Sequence, residues 1–162
     1  MIISQCPVCA MDAADSSICS QHIGIVYHFC MPQCRENFLL HPNLYIGKNS
    51  PTQRGRKIIK RRTFTLDQVM SGLQRDGLMM AAHQLMSAHN ISIEANTISI
   101  DYNLLELNAH QIESALIQAG ASMGSGWSER LKRGWIHYSE ENELDHLAAP
   151  DAACCNQAPG KG

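Results

Sequence analysis

The sequence predicts an α+β protein: a small cysteine-rich region, then a domain of strands and helices, then an amphipathic C-terminal helix. Five of the seven cysteines lie in the first 34 residues, and the other two are adjacent near the end. From residue 63 onward, apolar residues recur alternately at strand spacing and helix spacing, in the order strand, helix, strand, strand, helix. These two patterns predict two different regions.

Composition divides the 162 residues into four segments. Residues 1–46 are cysteine-rich. Residues 47–62 contain seven Lys or Arg, no acidic residue, and several residues that favour turns, which is typical of a basic linker. Residues 63–126 have the pattern of a packed α+β domain. Residues 127–162 are predicted to form an amphipathic helix followed by a flexible tail that ends the chain with small residues.

The four cysteines predicted to bind a metal ion form two pairs. Cys6 and Cys9 form a CxxC pair, whose tight turn aims both sulfurs at one point. Cys30 and Cys34 are four residues apart, a spacing that places both on one face of the first turn of a helix. The twenty residues between the pairs are enough for a β-hairpin that returns the second pair to the first. Zn²⁺ is the favoured ion for four thiolates, and Cu⁺ or another soft metal is the alternative.

Three further cysteines are candidate additional ligands. Cys154 and Cys155 are adjacent in the tail, where two thiolates can bind one soft ion or remain inert in a reducing cell. Cys19 lies between the two predicted pairs and is expected to be a packing or surface residue if it does not bind. Met79 and Met86 lie at helical spacing and are predicted to pack in the core.

In the second region, residues 63–66 alternate like a short strand, and Asp67 is a candidate helix cap. Apolar residues at three- and four-residue spacing predict one face of the next helix: Leu78, Met79, Ala82, Leu85 and Met86. A hairpin is predicted from two alternating segments: Ile91 and Ile93, then Ile98 and Ile100, joined by residues 94–97.

Asn108 is predicted to cap a second helix that buries Ile112 and Leu116, and Gly120 is predicted to end it. Residues 121–126 are a weak candidate for a fourth strand. In the C-terminal helix, four large apolar residues share one face and are predicted to pack on the sheet or on a partner: Trp127, Leu131, Trp135 and Tyr138.

The N-terminal segments CPVCAMD and HIGIVYHFCMPQCRENFLLHPNLYI resemble the YHS domain, also described as the TRASH metal-binding motif. That family carries CPVCGM, a short hairpin, and then YxFCSxxCxxxFxxxPxxY. The resemblance implies a treble-clef-like zinc-finger fold that traffics, senses or detoxifies heavy metals, often beside copper-transporting ATPases. Two positions differ, because Ala10 replaces the usual glycine and Met31 the usual serine.

The second region, which ends in IDYNLLELNAHQIESALIQAGA, is similar to the ferredoxin-like heavy-metal-associated domain of metallochaperones. That family binds metal through GMxCxxC between its first strand and first helix. The corresponding residues 69–73 contain no cysteine. The resemblance therefore implies a degenerate domain that keeps the fold and has lost its own metal loop.

Together these features predict a heavy-metal-binding accessory protein: a chaperone, sensor or buffer, with a metal-transporting ATPase as an expected partner. The alternative is a structural zinc-finger interaction module for protein or nucleic acid. A thiol oxidoreductase is disfavoured because no βαβ pattern surrounds Cys6 and Cys9. No catalytic constellation is recognisable, so we expect a non-enzyme. The basic run lacks interleaved aromatic residues, so nucleic acid is not favoured. With no signal peptide at the start, we expect a cytoplasmic location.

Overall fold

The computed structural model describes residues 2–149, which form two three-stranded sheets and four α-helices. The strands are β1 (Ile2–Ile3), β2 (Cys19–His22), β3 (Ile25–His28), β4 (Ile59–Thr65), β5 (Ala88–Glu94) and β6 (Thr97–Asn103). The helices are α1 (Pro32–Leu40), α2 (Gly72–Gln84), α3 (Ala109–Gln118) and α4 (Trp127–Ala148), with a short 3-10 helix at Pro42–Leu44. The class is α+β, as predicted.

The N-terminal region is built on the predicted hairpin. β2 and β3 pair antiparallel across a tight turn at Ile23 and Gly24, both with positive φ, and β1 joins β3 in parallel. An aromatic cluster lies beneath α1, and all of its members are buried: Tyr27, Phe29, Phe38 and Tyr45. Leu39 lies on the outer face of α1 and is 51% exposed.

The second region has the βαββα order and the strand order β4-β6-β5, with every pairing antiparallel. This is the ferredoxin-like arrangement without a full fourth strand. Residues 121–126 were the candidate fourth strand, and they form only an isolated antiparallel bridge, between Met123 and Leu66. Fully buried residues from β6, α3 and the loop that joins them form its core: Ile98, Ile100, Tyr102, Leu104, Leu105, Leu107, Ile112 and Leu116.

The basic segment does not remain a linker up to residue 62, because β4 begins at Ile59. The last three basic side chains pair with acids: Lys60 with Glu143 at 2.7 Å, Arg61 with Asp101 at 2.6 Å, and Arg62 with Glu140 at 3.3 Å. Alternation along the strand places residues 60 and 62 on the face that α4 covers. The last three of the seven basic side chains in residues 47–62 are therefore neutralised within the fold.

Of the two predicted helix caps, one is observed and the other is not. Asn108 caps α3 as predicted, in a reciprocal capping box with Gln111. α2 is capped by Ser71 with Gln74, and not by Asp67. The carboxylate of Asp67 instead accepts hydrogen bonds from the hydroxyl of Ser122 and the backbone N–H of residue 125, which ties the end of β4 to residues 121–126.

α4 packs with the face opposite to the predicted one. The residues that it buries are Glu140 and Leu144. The predicted apolar face remains exposed, between 59% and 79%, at Trp127, Leu131, Trp135 and Tyr138. The prediction that these side chains pack on the sheet is wrong, because α4 turns Glu140 and Glu143 toward the basic side chains of β4. Packing on a partner, the other alternative, stays a prediction.

Hydrogen bonds join the two regions. The side-chain amides of Gln33 and Asn37 in α1 both donate to the backbone carbonyl of Glu106, at 2.7 Å each. The hydroxyl of Tyr45 donates to the carbonyl of Leu105 at 2.8 Å. Because these carbonyls lie in the loop between β6 and α3, the N-terminal region sits at that end of the second sheet.

Candidate metal centre

The first cysteine pair lies in a tight turn closed by two backbone hydrogen bonds. The N–H of Ala10 donates to the carbonyl of Cys6, and the N–H of Cys6 donates to the carbonyl of Met11, both at 2.8 Å. Ala10 adopts φ 62°, the left-handed conformation that glycine adopts without steric cost. The turn therefore explains why glycine is usual at this position in the family that the segment resembles.

The second pair lies at the start of α1, but only one of its members is helical. The helix begins at Pro32, its N-cap is Met31, and Cys34 is its third residue. Cys30 precedes the cap, so the expected placement of both residues in the first helical turn is wrong. The end of β3 still brings Cys30 beside Cys34, and the sulfurs lie 3.7 Å apart.

The four sulfurs of Cys6, Cys9, Cys30 and Cys34 all lie within 4.8 Å of one another. The Sγ of Cys9 is 3.4 Å from that of Cys30 and 4.0 Å from that of Cys34. Four thiolates around one zinc ion at about 2.3 Å give sulfur–sulfur separations of about 3.8 Å. The donor set therefore fits a tetrahedral thiophilic ion in both chemistry and spacing, and all four cysteines are free thiols.

Contacts between the clustered thiols shift the pKa values of Cys6 and Cys34 in opposite directions. Hydrogen bonds from the thiols of Cys34 and Cys9 lower the pKa of Cys6 to about 2. The same contacts of Cys34 with Cys6 and Cys9, together with burial, raise the pKa of Cys34. The thiolate of Cys6 is thus stabilised by the neighbouring thiols of Cys34 and Cys9.

A fifth sulfur lies beside the cluster. The Sδ of Met86 is 3.5 Å from the Sγ of Cys34, although the two residues are 52 positions apart. Met86 lies just after α2, in the second region, and its helical spacing predicted only core packing. Cys6 and Cys34 are buried, whereas Cys9 and Cys30 are partly exposed.

The remaining candidate ligands are placed apart from this cluster or lie outside the described residues. Cys19 is exposed in β2 and is not among the four clustered sulfurs. The Nδ1 of His28, which lies close in sequence to Cys30, contacts the carbonyl of Ser16 at 2.9 Å. Cys154 and Cys155 lie outside residues 2–149.

The degenerate loop 69–73 lies at the other end of the second sheet. The N–H of Met70 donates to the carbonyl of Ala95, in the turn that joins β5 to β6. Met86 lies just before Ala88, which pairs with Tyr102 at the opposite end of these two strands. A ferredoxin-like metal loop would therefore lie a full strand length from the cysteine cluster.

Within residues 2–149, no helix is both long enough and apolar enough to cross a bilayer.

No family model matches the chain, and no curated protein matches it. Among solved structures, the chain is similar to apo-CopP from Helicobacter pylori, with 13% identity over 40% of this chain and all of that one, and a TM-score of 0.37. A TM-score at this level is too low to support a functional conclusion. The strand order and connections from β4 to α3 define the ferredoxin-like arrangement. The four clustered sulfurs define the candidate metal centre.

Proposed function

We propose that this protein is a heavy-metal-binding accessory protein that holds a thiophilic ion on Cys6, Cys9, Cys30 and Cys34. The observation that carries the proposal is the convergence of these four free thiols, from two segments twenty residues apart, within 4.8 Å. Zn²⁺ is the favoured ion because four thiolates make a tetrahedral site. Cu⁺ is the alternative, supported by the thioether of Met86 at 3.5 Å from Cys34.

We further propose that the ion is cargo, handled by a chaperone, sensor or buffer rather than used for catalysis. Two of the four thiols are partly exposed, which gives a competing thiol access to the ion. The resemblance of residues 1–46 to the YHS/TRASH domain supports this role and suggests a metal-transporting ATPase or another metal-handling protein as the partner. A reducing cytoplasm would keep these thiols available. Cys154 and Cys155 remain candidate additional ligands.

The second candidate function is a structural zinc module that never transfers its ion. It is supported by the burial of Cys6 and Cys34 and by the direct hydrogen bonds between α1 and the loop at Leu105 and Glu106. A nucleic-acid role for this module is disfavoured, because Lys60, Arg61 and Arg62 are paired with acids.

Metal exchange distinguishes the two functions. The full chain, loaded with one Zn²⁺, is challenged with glutathione and a chromophoric chelator, and Cu⁺ is then offered in competition. Cargo handling predicts release within minutes and replacement of zinc by Cu⁺. Retention of zinc over hours, with no exchange, would establish the structural module instead.

Two cysteine variants test the site itself. Cys34→Ser removes a buried member of the cluster, and we expect loss of tight Zn²⁺ binding. Cys19→Ser is the matched control, because Cys19 is an exposed cysteine of the same region outside the cluster, and we expect unchanged stoichiometry. Equal zinc binding by the wild type and Cys34→Ser would refute the four-cysteine site.

A further inference from the structure

A second cluster of potential ligands joins the end of α1 to α4. His41 is the C-cap residue of α1, and its side chain is 8% exposed. Glu141 and Asp145 are four residues apart and therefore share one face of α4. That face is turned toward His41, although the two helices are about a hundred residues apart in the sequence.

The three side chains converge at the imidazole of His41, with one carboxylate beside each ring nitrogen. The Nε2 of His41 is 3.1 Å from Oε1 of Glu141, and Nδ1 is 3.5 Å from Oδ1 of Asp145. One ring nitrogen and one oxygen from each carboxylate lie within 4.8 Å of one another.

The imidazole also lacks a hydrogen bond that would explain its burial. The Nε2 of His41 is buried and makes no hydrogen bond within residues 2–149, although Oε1 of Glu141 lies 3.1 Å away. A buried polar atom without a partner destabilises the fold. An ion on the nitrogen lone pair would satisfy this atom and neutralise both carboxylates.

We propose that His41, Glu141 and Asp145 form a second metal site, for a borderline divalent ion such as Zn²⁺. The donor set is one imidazole nitrogen and two carboxylate oxygens, without sulfur, so it does not favour Cu⁺. Glu141 is 52% exposed and Asp145 is 65% exposed, which leaves room for a water ligand in the fourth position. The site is independent of the cysteine cluster, and it would fasten α4 to the N-terminal region.

The competing interpretation is an ion pair, in which a protonated His41 lies between the two carboxylates and no metal binds. The two interpretations differ in stoichiometry. The full chain is first loaded with one equivalent of Zn²⁺, which fills the thiolate site, and a second equivalent is then titrated by calorimetry. The ring resonances of His41 are followed by NMR during the same titration.

We expect one further Zn²⁺ to bind and the His41 resonances to shift in proportion to it. Glu141→Gln combined with Asp145→Asn keeps the shape of both side chains and should abolish this second event. Glu129→Gln, on the same helix but outside the cluster, is the matched control and should retain it. The proposal is overturned if no second Zn²⁺ binds, if the double variant binds it equally well, or if His41 is unaffected. Failure of the cysteine site would appear separately, as loss of the first equivalent.

Discussion

Met86 is the residue that links the second region to the cysteine cluster, because its Sδ lies 3.5 Å from the Sγ of Cys34. A thioether is a soft donor that prefers Cu⁺ over Zn²⁺. Met86→Leu conserves side-chain volume, so we expect the free energy of unfolding to change by less than about 1.5 kcal/mol. We expect Cu⁺ binding to weaken while Zn²⁺ binding is unchanged, as measured by chelator competition.

Met79→Leu is the control for this prediction, because it makes the same substitution at a partly buried position of α2, where no sulfur contact is found within residues 2–149. Equal Cu⁺ affinity in the wild type and Met86→Leu would show that Met86 only packs against Cys34.

The difference between Cys34 and Met86 shows what the sequence reveals about a site. The four cysteines were predictable because ligand spacing within a pair is a local property, and a hairpin joins the two pairs. Met86 was not predictable, because its place beside Cys34 depends on how two regions dock across 52 residues. The same limit applies to His41, whose carboxylate neighbours come from α4.

Asp101 gives a pH-dependent contribution to stability. Its carboxylate accepts two hydrogen bonds from the guanidinium of Arg61, at 2.6 and 2.7 Å, and one from the amide of Asn90 at 3.0 Å. These contacts, Arg61 first, lower the pKa of Asp101 to about 2. The unfolded chain has an aspartate pKa of about 3.9. The stabilisation is therefore complete above about pH 4 and is lost as the pH falls toward 2.

Asp101→Asn tests this directly. We expect the variant to be less stable than the wild type at pH 6, and the difference in urea midpoint to shrink steadily between about pH 4 and 2. Acid also displaces metal from thiolates, but it does so in both proteins, so the difference isolates Asp101. A difference that does not vary with pH would contradict the prediction.

At the scale of elements, the helix boundaries and caps depended on local chemistry that the sequence carries. The hairpin of β5 and β6 and the capping of α3 by Asn108 were both predictable, since turn and cap preferences act over three or four residues. The rotation of α4 about its axis was not predictable in this way. Its aromatic residues form the more apolar face, yet Glu140 is buried, because polar partners on β4 and β6 outweigh simple amphipathicity.

Glu140 anchors α4 to the second sheet. Its carboxylate accepts hydrogen bonds from the hydroxyl of Tyr102, the guanidinium of Arg62 and the backbone N–H of Ala109 at the start of α3. Burial, and then the contact with Glu140, raise the pKa of Tyr102, so the phenol remains a donor. Removal of one partner of a buried charged network costs about 3–5 kcal/mol.

For Glu140→Gln, which retains one acceptor oxygen, we expect a loss of about 2–4 kcal/mol in the free energy of unfolding, measured in urea. Glu129→Gln, on the same helix, should cost less than about 0.5 kcal/mol. Equal stability of the two variants would show that α4 is held by its apolar contacts at Leu144 and not by the carboxylate.

At the scale of the whole molecule, the two regions differ in what holds them together. The second region has a continuous apolar core that includes Ile98, Ile100 and Leu116, all fully buried. The N-terminal region has a small aromatic cluster, and its four thiols occupy the centre where a larger domain would have apolar side chains. A segment of this size buries little apolar surface, so we expect a bound ion to supply much of its folding free energy.

Removal of the metal should therefore unfold one region and spare the other. After chelation of the full chain, we expect amide protons of β2, β3 and α1 to lose protection from hydrogen exchange, whereas those of β4, β6 and α3 stay protected. Cys34→Ser should behave like the stripped protein even in the presence of Zn²⁺, and Cys19→Ser like the wild type. The hydrogen bonds from Asn37 and Tyr45 to the loop at residues 104–107 are lost when the N-terminal region unfolds. We therefore expect the amides of this loop to exchange faster than the amides of the strands beside it. Simultaneous loss of protection in both sheets would contradict this prediction, because it would mean that those hydrogen bonds couple the two regions into one cooperative unit.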